Sequence, residues 1–372
     1  MKIAMIGHKR IPSREGGIEV VVEETSTRLA ALKHTVHVYN RMGKYVYGGK
    51  NNYQKLKNYK GVKIIQIPTI PVKGLDAFVY SFFAVIKALF GHYDVIHFHA
   101  EGPGAMILIT RLFGIRSVST IHGLDWQRSK WRNFASRYIK YGEKTISKYA
   151  DEIIVLSLNN QKYFLDRYNR RTNFIPNGVT KPTIRSPSVI TEKYGLSYHE
   201  YLLFLARLVP EKGLDYLIEA FKKVKTEKKL VIAGGSSHSE KYEDYIKREI
   251  LSDKRIIMTG FVQGDLLDEL LSNCAVYILP SDIEGMPISL LEAMSYGCSC
   301  LVSDIPENRE IVEDYAITFE KSNIDDLKDK LEYLITNGFT RYKPDEISSF
   351  ILNKYNWDSV VNKHLELYKA NG

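Results

Sequence analysis

Val276-Tyr277-Ile278-Leu279-Pro280-Ser281-Asp282-Ile283-Glu284-Gly285-Met286-Pro287-Ile288-Ser289-Leu290-Leu291-Glu292-Ala293-Met294 reads as one strand, one loop and one helix. Val276–Leu279 is a short apolar run, Pro280 to Gly285 is turn-rich, and Pro287 suits a first helical turn. The same unit repeats outward in both directions. Upstream stand Tyr201–Ala206, Leu230–Ala233 and Ile256–Thr259, and downstream stand Cys300–Ser303 and Ile317–Phe319. The first half offers Lys2–Gly7, Thr35–Tyr39, Val62–Ile67, Asp94–Phe98, Ser117–Ile121, Ile153–Ser157 and Asn173–Pro176, with helical segments between most of them. Short β-branched runs alternating with helices predict α/β structure, two doubly wound domains built on parallel sheets. A Pro/Gly/Ser-rich stretch near 178–190 joins them, so the expected domains are 1–180 and 190–355. In 356–372, Trp357, Val360, Val361, Leu365 and Tyr368 make a helical stripe that should end the chain as a packed helix.

The chain has 372 residues with 44% hydrophobic content, enough for two cores and too apolar for a disordered protein. Its formal charge of +9 conceals opposed halves. Residues 1–185 hold 30 Lys+Arg against 12 Asp+Glu, a net of +18; residues 186–372 hold 22 against 31, a net of −9. A basic first domain suggests an anionic partner, with a solvated basic face as the plain alternative. Three Cys are too few for a secreted disulfide framework, and Met1-Lys2 leads into an apolar strand instead of a signal peptide; a cytoplasmic chain is expected. Leu75 to Phe90 is too short and too charged, through Asp76 and Lys87, to span a bilayer, and is expected as a buried or interface-dipping helix.

Several strand ends carry chemistry. The first runs through Gly7 and His8 to Gly16-Gly17-Ile18-Glu19, with a helix expected near Val20. A glycine pair there lets backbone approach a ligand, and a helix N-terminus favours an anion; a plain turn is the alternative. No G-x-G-x-x-G fingerprint is present and Tyr39-Asn40-Arg41 lacks the acid that would hold a ribose, so NAD is disfavoured. Alternation puts His97 and His99 on one side of their strand, either as a metal pair or as hydrogen-bonded core histidines. His122, followed by Gly123 at a strand's carboxyl end, is placed to face a crevice. In the second half Arg207 and Lys212 bracket a tight loop and suit a diphosphate, though two solvated cations would read the same way. Glu284 lies in a loop, and Glu292 on an apolar helix needs hydroxyl or cationic partners. No D-x-D occurs to hold a metal diphosphate, and Cys298-Ser299-Cys300 lacks zinc-knuckle spacing, which leaves Cys274, Cys298 and Cys300 as small core residues.

Taken together, Arg207 and Lys212 in an R-x4-K loop and Glu284 and Glu292 in an E-x7-E motif resemble the family 4 retaining glycosyltransferases of GT-B fold. The resemblance covers the whole chain, including Gly16-Gly17, Ala233-Gly234-Gly235, the 297–304 segment and the Trp357 helix. The opening segment 8–19 is similar to bacterial rhamnosyltransferases of capsule or cell-wall polysaccharide. Departures stand at Met286-Pro287, where the family usually has Phe-Gly, and at Leu32-Lys33-His34, where it has small-Gly-His; both concern donor fit.

The resemblance implies two Rossmann-like domains facing a central cleft, with a C-terminal helix returning towards the N-terminal domain. The basic first domain would hold the acceptor and the second the nucleotide sugar. Arg207 and Lys212 would neutralise the departing diphosphate in place of a metal, helped by backbone N–H groups near Pro287 and Ile288. Glu284, with Gly285 and Met286 beside it, would meet donor sugar hydroxyls and Glu292 the ribose. His122 would act at the sugar from the other domain, and Gly16 and Gly17 would approach the phosphate. No cofactor and no metal are expected. The favoured reaction moves L-rhamnose from a dTDP carrier to a lipid-linked saccharide by front-face displacement; a UDP-hexose or UDP-N-acetylhexosamine donor is the alternative within the family. A nucleotide-sugar epimerase is the alternative from another class, while nucleic-acid binding lacks any recognisable motif. Residues 128–148 interleave Arg128, Lys130, Arg132, Arg137, Lys140, Lys144 and Lys148 with Trp131, Phe134, Tyr138, Ile139 and Tyr141. They suit peripheral docking of the first domain on an anionic inner membrane face, the plain alternative being an ordinary surface helix.

Overall fold

A computed structural model describes residues 1–43, 56–72, 75–127, 134–235, 239–338 and 342–369. Two compact units emerge: Met1–Asn177 with Trp357–Gly372, and Gly178–Asn356.

In the first unit β1 (Lys2–Ile6), β2 (Thr35–Arg41), β3 (Asn58–Tyr59), β4 (Val62–Ile67), β5 (Val95–His99), β6 (Arg116–Ile121), β7 (Glu152–Val155) and β8 (Asn173–Phe174) form one sheet. Among the described residues its order is β3-β4-β2-β1-β5-β6-β7-β8. Every pairing is parallel except that of β3 with β4. The strands that follow β1 up to β4 lie on one side of it and β5 to β8 on the other, so β1 and β5 flank a switch point, where open α/β sheets leave a crevice beyond the strand ends. Helix Leu75–Leu89 buries Tyr80, Ala84, Val85 and Ala88 in a core with Ile96, Phe98, Ile121, Ile153 and Phe164. Helices Gly17–Ala31 and Trp357–Lys369 pack together. Their contact includes the Arg28 guanidinium 5.7 Å from the Trp357 ring, and Arg116 Nη2 donates to the Leu367 carbonyl at 2.9 Å.

The second unit contains β9 (Tyr201–Leu205), β10 (Lys229–Ala233), β11 (Ile256–Gly260), β12 (Val276–Leu279), β13 (Cys300–Ser303) and β14 (Ile317–Phe319), in the order β11-β10-β9-β12-β13-β14. All are parallel, and the switch point lies between β9 and β12. Helices cover both faces, so β12 and β13 are buried throughout and read as unbroken apolar runs in the sequence.

Some boundaries differ from the sequence expectations. The first helix begins at Gly17, three residues before Val20, because Gly16 takes an extended N-cap conformation and Val20 N already donates to Gly16 O at 3.3 Å. Pro287 is the N-cap and Ile288 the first helical residue. Helix Leu75–Leu89 is only half-buried, because its outer side leaves Phe78, Phe82 and Phe83 exposed. No described helix is long and apolar enough to cross a membrane.

Candidate active site

The second unit assembles its charged residues at the β9/β12 switch point. Gly213 closes the loop after β9 with φ +64, and a Cβ there would lie 2.1 Å from the Pro280 carbonyl. Glycine therefore lets this loop rest directly on the one after β12. Asp282 N donates to Glu211 O at 3.0 Å, and the Tyr216 hydroxyl donates to Asp282 Oδ2 at 3.1 Å. These ties bring Lys212 and Glu284, 72 residues apart, into a direct hydrogen-bonded ion pair. Both side chains are largely removed from water, 13% and 7% exposed. The loop is pinned on its other side as well. A Cβ at Gly234 would sit 1.8 Å from the Ala206 carbonyl, and Leu208 N donates to Gly235 O at 3.1 Å.

Arg207 leaves this loop half-buried, and Glu292 is half-buried one turn into helix Ile288–Ser295. Gly285, Met286 and Pro287 are buried beneath the helix start and Ile288 is half-buried. Pro287 caps the helix without a side-chain acceptor, which leaves capping of its first turn to backbone or to a ligand. The arrangement offers two cations to an anion, while Glu284 holds one of them and presents carboxylate oxygens to hydroxyl donors.

The first unit brings histidines together instead. His122, just beyond β6, is buried with Nε2 3.1 Å from Nδ1 of His99. The His99 ring lies 4.2 Å from that of His97. His97 in turn bonds the Tyr368 hydroxyl through Nδ1 at 2.6 Å and Thr120 Oγ1 through Nε2 at 2.7 Å. Of the two sequence alternatives for His97 and His99, a metal pair or hydrogen-bonded core histidines, the geometry matches the second. Among the described residues no group of three or more His, Cys, Asp or Glu is placed to hold a metal. Burial, reinforced by neighbouring imidazoles, keeps His97 and His99 well below the usual histidine range and hence neutral. Nε2 of His99 is buried with no hydrogen-bond partner.

The exit of β1 leans on this cluster, since a Cβ at Gly7, with φ +128, would lie 2.1 Å from the His99 carbonyl. His8 Nε2 donates to Asn40 Oδ1 at 2.9 Å. Asn40 also accepts from Ile11 N at 3.0 Å and donates to Ile11 O at 2.8 Å, which fixes the loop. Burial lowers the His8 pKa to about 4.

Gly16 and Gly17 start their helix, but an anion is already there. Glu19 Oε1 accepts from Lys9 N at 2.9 Å, and Glu19 Oε2 would lie 2.3 Å from a Cβ at Gly16. Burial alone would raise the Glu19 pKa; the Lys9 charge and its N–H outweigh it and bring the carboxyl below its usual range. Glu101 is fully buried, accepts from Asp125 N at 3.0 Å, and leaves Oε2 without a partner. Burial, then the Asp125 charge, push it well above the usual carboxylate range. The sequence reading gave Glu19 and Glu101 no role. The criterion applied to His122, a polar residue just past a strand's carboxyl end, also picks out Glu101. Cys274, Cys298 and Cys300 are buried free thiols, with the sulfurs of Cys274 and Cys298 3.6 Å apart. Residues 128–133 of the basic aromatic segment lie outside the described residues.

The family model described as "Glycosyl transferases group 1" matches residues 190–349, and that described as "Glycosyltransferase Family 4" matches residues 15–181. An uncharacterized glycosyltransferase of Methanocaldococcus jannaschii is 24% identical over 360 residues, 95% of this chain and 94% of its own. The Escherichia coli UDP-Gal:alpha-D-GlcNAc-diphosphoundecaprenol alpha-1,3-galactosyltransferase is 26% identical over 293 residues, 74% of this chain and 75% of its own. Sucrose-phosphate synthase from Thermosynechococcus elongatus shares the fold with a TM-score of 0.84 at 19% identity, covering 99% of this chain and 98% of that one.

Proposed function

This chain belongs to family 4 of the glycosyltransferases and has the GT-B fold, and from that premise we propose that it moves a sugar from a nucleoside diphosphate to a hydroxyl of a lipid-linked saccharide, with retention at the anomeric carbon. Membership sets aside the epimerase alternative. The observation that carries the reading is the largely buried Lys212–Glu284 pair at the β9/β12 switch point, with Arg207 on the same loop. A diphosphate at Lys212 and Arg207 leaves with its growing charge met by two cations held in place beforehand. Glu284, already fixed by Lys212, accepts hydroxyls of the donor sugar, and Glu292 accepts those of the ribose. The acceptor oxygen bonds to the anomeric carbon as the bond to phosphate oxygen breaks, and the acceptor proton passes to the departing phosphate. His122 serves the transfer step. Gly16 and Gly17 approach the phosphate only if Glu19 yields some of its hold on that helix start.

For the donor we favour L-rhamnose on dTDP, on the resemblance of segment 8–19 to bacterial rhamnosyltransferases of surface polysaccharide synthesis. The Escherichia coli relative, named for UDP-Gal and a diphosphoundecaprenol acceptor, supports a UDP-hexose as the second reading and a lipid-linked acceptor under either. The basic first unit is assigned to an anionic membrane surface on the cytoplasmic side, which delivers that acceptor. Nucleic acid is not a partner under this reading. Metal plays no part, so turnover persists in excess EDTA; complete loss restored by Mg²⁺ or Mn²⁺ removes this account of the diphosphate site. The deciding experiment incubates the protein with a panel of nucleotide sugars and lipid-linked acceptors and identifies the product linkage. Interconversion of free nucleotide sugars without acceptor, or an inverted linkage, refutes the proposal.

A further inference from the structure

Helix Leu75–Leu89 is about 22 Å long at the usual rise per residue. Its inner side is core. Its outer side exposes Leu75, Phe78, Phe82 and Phe83, and Phe90 follows at 80% exposure. An aromatic stripe this long on the surface calls for something to cover it. The neighbouring helix Phe134–Tyr149 joins it directly, through an edge-on contact of the Phe78 and Tyr138 rings at 5.5 Å.

The charges of these two helices are sorted by sign. The first contains one acid, Asp76, which is turned inward and paired with Arg41 at 3.0 Å. The second also contains one acid, Glu143, buried and accepting from Trp126 Nε1 at 3.0 Å and from the hydroxyls of Tyr163 and Tyr168 at 2.8 and 2.5 Å. The cations point the other way: Lys87, Arg137, Lys144 and Lys148 are all exposed. The exposed side chains that these two adjoining helices present are therefore aromatic and cationic, with their anions withdrawn. That combination fits a surface that is anionic outside and apolar just beneath, an acidic lipid leaflet, and it fits a second identical copy poorly because like charges would meet.

We propose that the outer face of helix Leu75–Leu89 is a lipid-insertion surface: Phe78, Phe82 and Phe83 enter the headgroup–acyl boundary while Arg137 and Lys144 hold acidic headgroups. The helix lies along the membrane plane and does not cross it. The inference rests on the membrane reading of the first unit and adds to it a specific inserting element.

The test is co-sedimentation of the full chain with phosphatidylcholine vesicles, with and without phosphatidylglycerol, at low and high salt. Wild type should need phosphatidylglycerol and keep part of its binding at high salt. F82S/F83S should partition about tenfold less and lose the salt-resistant part. R137E/K144E should lose the preference for acidic lipid. Phe82→Trp should be quenched by lipids brominated in their acyl chains. If F82S/F83S partitions like wild type while R137E/K144E fails, the membrane reading stands and the inserting helix is wrong. If wild type binds no vesicle at all, both fall. If wild type self-associates in sedimentation velocity and F82S/F83S abolishes only that, the face covers a second copy and the inference is overturned.

Discussion

The two units solve the same topological problem with opposite electrostatics. Each doubly wound sheet has a switch point, β1/β5 in one and β9/β12 in the other. At the second, a lysine and a carboxylate form a largely buried ion pair. At the first, His97, His99 and His122 are buried against one another and two of them are held neutral by desolvation. A net of −9 in the second half and +18 in the first adds to the contrast, because the acidic half places Lys212 and Arg207 at its switch point whereas the basic half places neutral histidines at its own. The difference teaches that paired charges pre-organise binding of an anion, whereas neutral imidazoles leave a site able to handle uncharged hydroxyls.

The largest expected effect breaks the charged side. Arg207→Ala and Lys212→Ala should each lower turnover by roughly 10²–10³ with the fold retained. Lys212→Ala also strands Glu284, so the double variant with Glu284→Ala should lose clearly less than the two single losses combined. Steady-state rates and a double-mutant cycle measure this, and near-normal turnover of both single variants removes the donor-site assignment. On the histidine side, His122→Ala should depress transfer by roughly 10² while calorimetry shows unchanged affinity for the bare nucleoside diphosphate. Lost nucleotide affinity would instead assign His122 to the nucleotide pocket.

How much of this was legible in the sequence follows from which interactions are local. Strands such as Val276–Leu279 match residue for residue because burial on both faces leaves an unbroken apolar run. The two-residue edge strand Asn58–Tyr59 carries no such run and was not anticipated. Arg207, Lys212, Glu284 and Glu292 stood out by type and spacing. Their pairing did not, since it depends on β12 lying beside β9 while β10 and β11 occupy the other side. Gly213 shows the same limit: its role is set by the Pro280 carbonyl, which a Cβ at that position would meet at 2.1 Å. The outer stripe of helix Leu75–Leu89 was half legible, because composition reveals phenylalanines but not which of them face outward.

A third prediction uses the histidines as a stability probe. His8 has a folded pKa of about 4 against 6.5 for the free side chain. Its folded value is depressed, so unfolding takes up a proton once the pH drops below about 6.5, and stability present above that pH is lost progressively down to about 4. The loss for His8 alone is roughly 3 kcal/mol over that window. His97, His99 and His364 are shifted in the same direction by burial and add to it. Trp126, Trp131 and Trp357 all fall in the first unit, so tryptophan fluorescence reports on that unit alone. Glu101, raised by burial, works the other way over the same window but is one group against four imidazoles, so the melting midpoint of this unit should fall from pH 7 to pH 4.5. A flat profile means that the imidazoles are not buried neutral, and the contrast between the units collapses.

The smallest expected effect concerns the helix that closes the chain. Tyr368 donates to or accepts from His97 Nδ1 at 2.6 Å, and both are buried. Tyr368→Phe keeps the ring that packs edge-on to His97 at 5.7 Å and removes only the hydroxyl. It leaves a buried ring nitrogen without that partner, which costs about 1–3 kcal/mol, while Thr120 still holds the other nitrogen. Urea unfolding followed by tryptophan fluorescence should therefore show a lower midpoint with an unchanged slope. His122 hydrogen-bonds His99, one side chain removed from the Tyr368–His97 bond, so turnover on a saturating donor should change little. A large fall in turnover with stability intact would mean that the chain Tyr368–His97–His99–His122 positions the imidazole used in transfer, and the closing helix would then belong to the chemistry of the first unit as well as to its core.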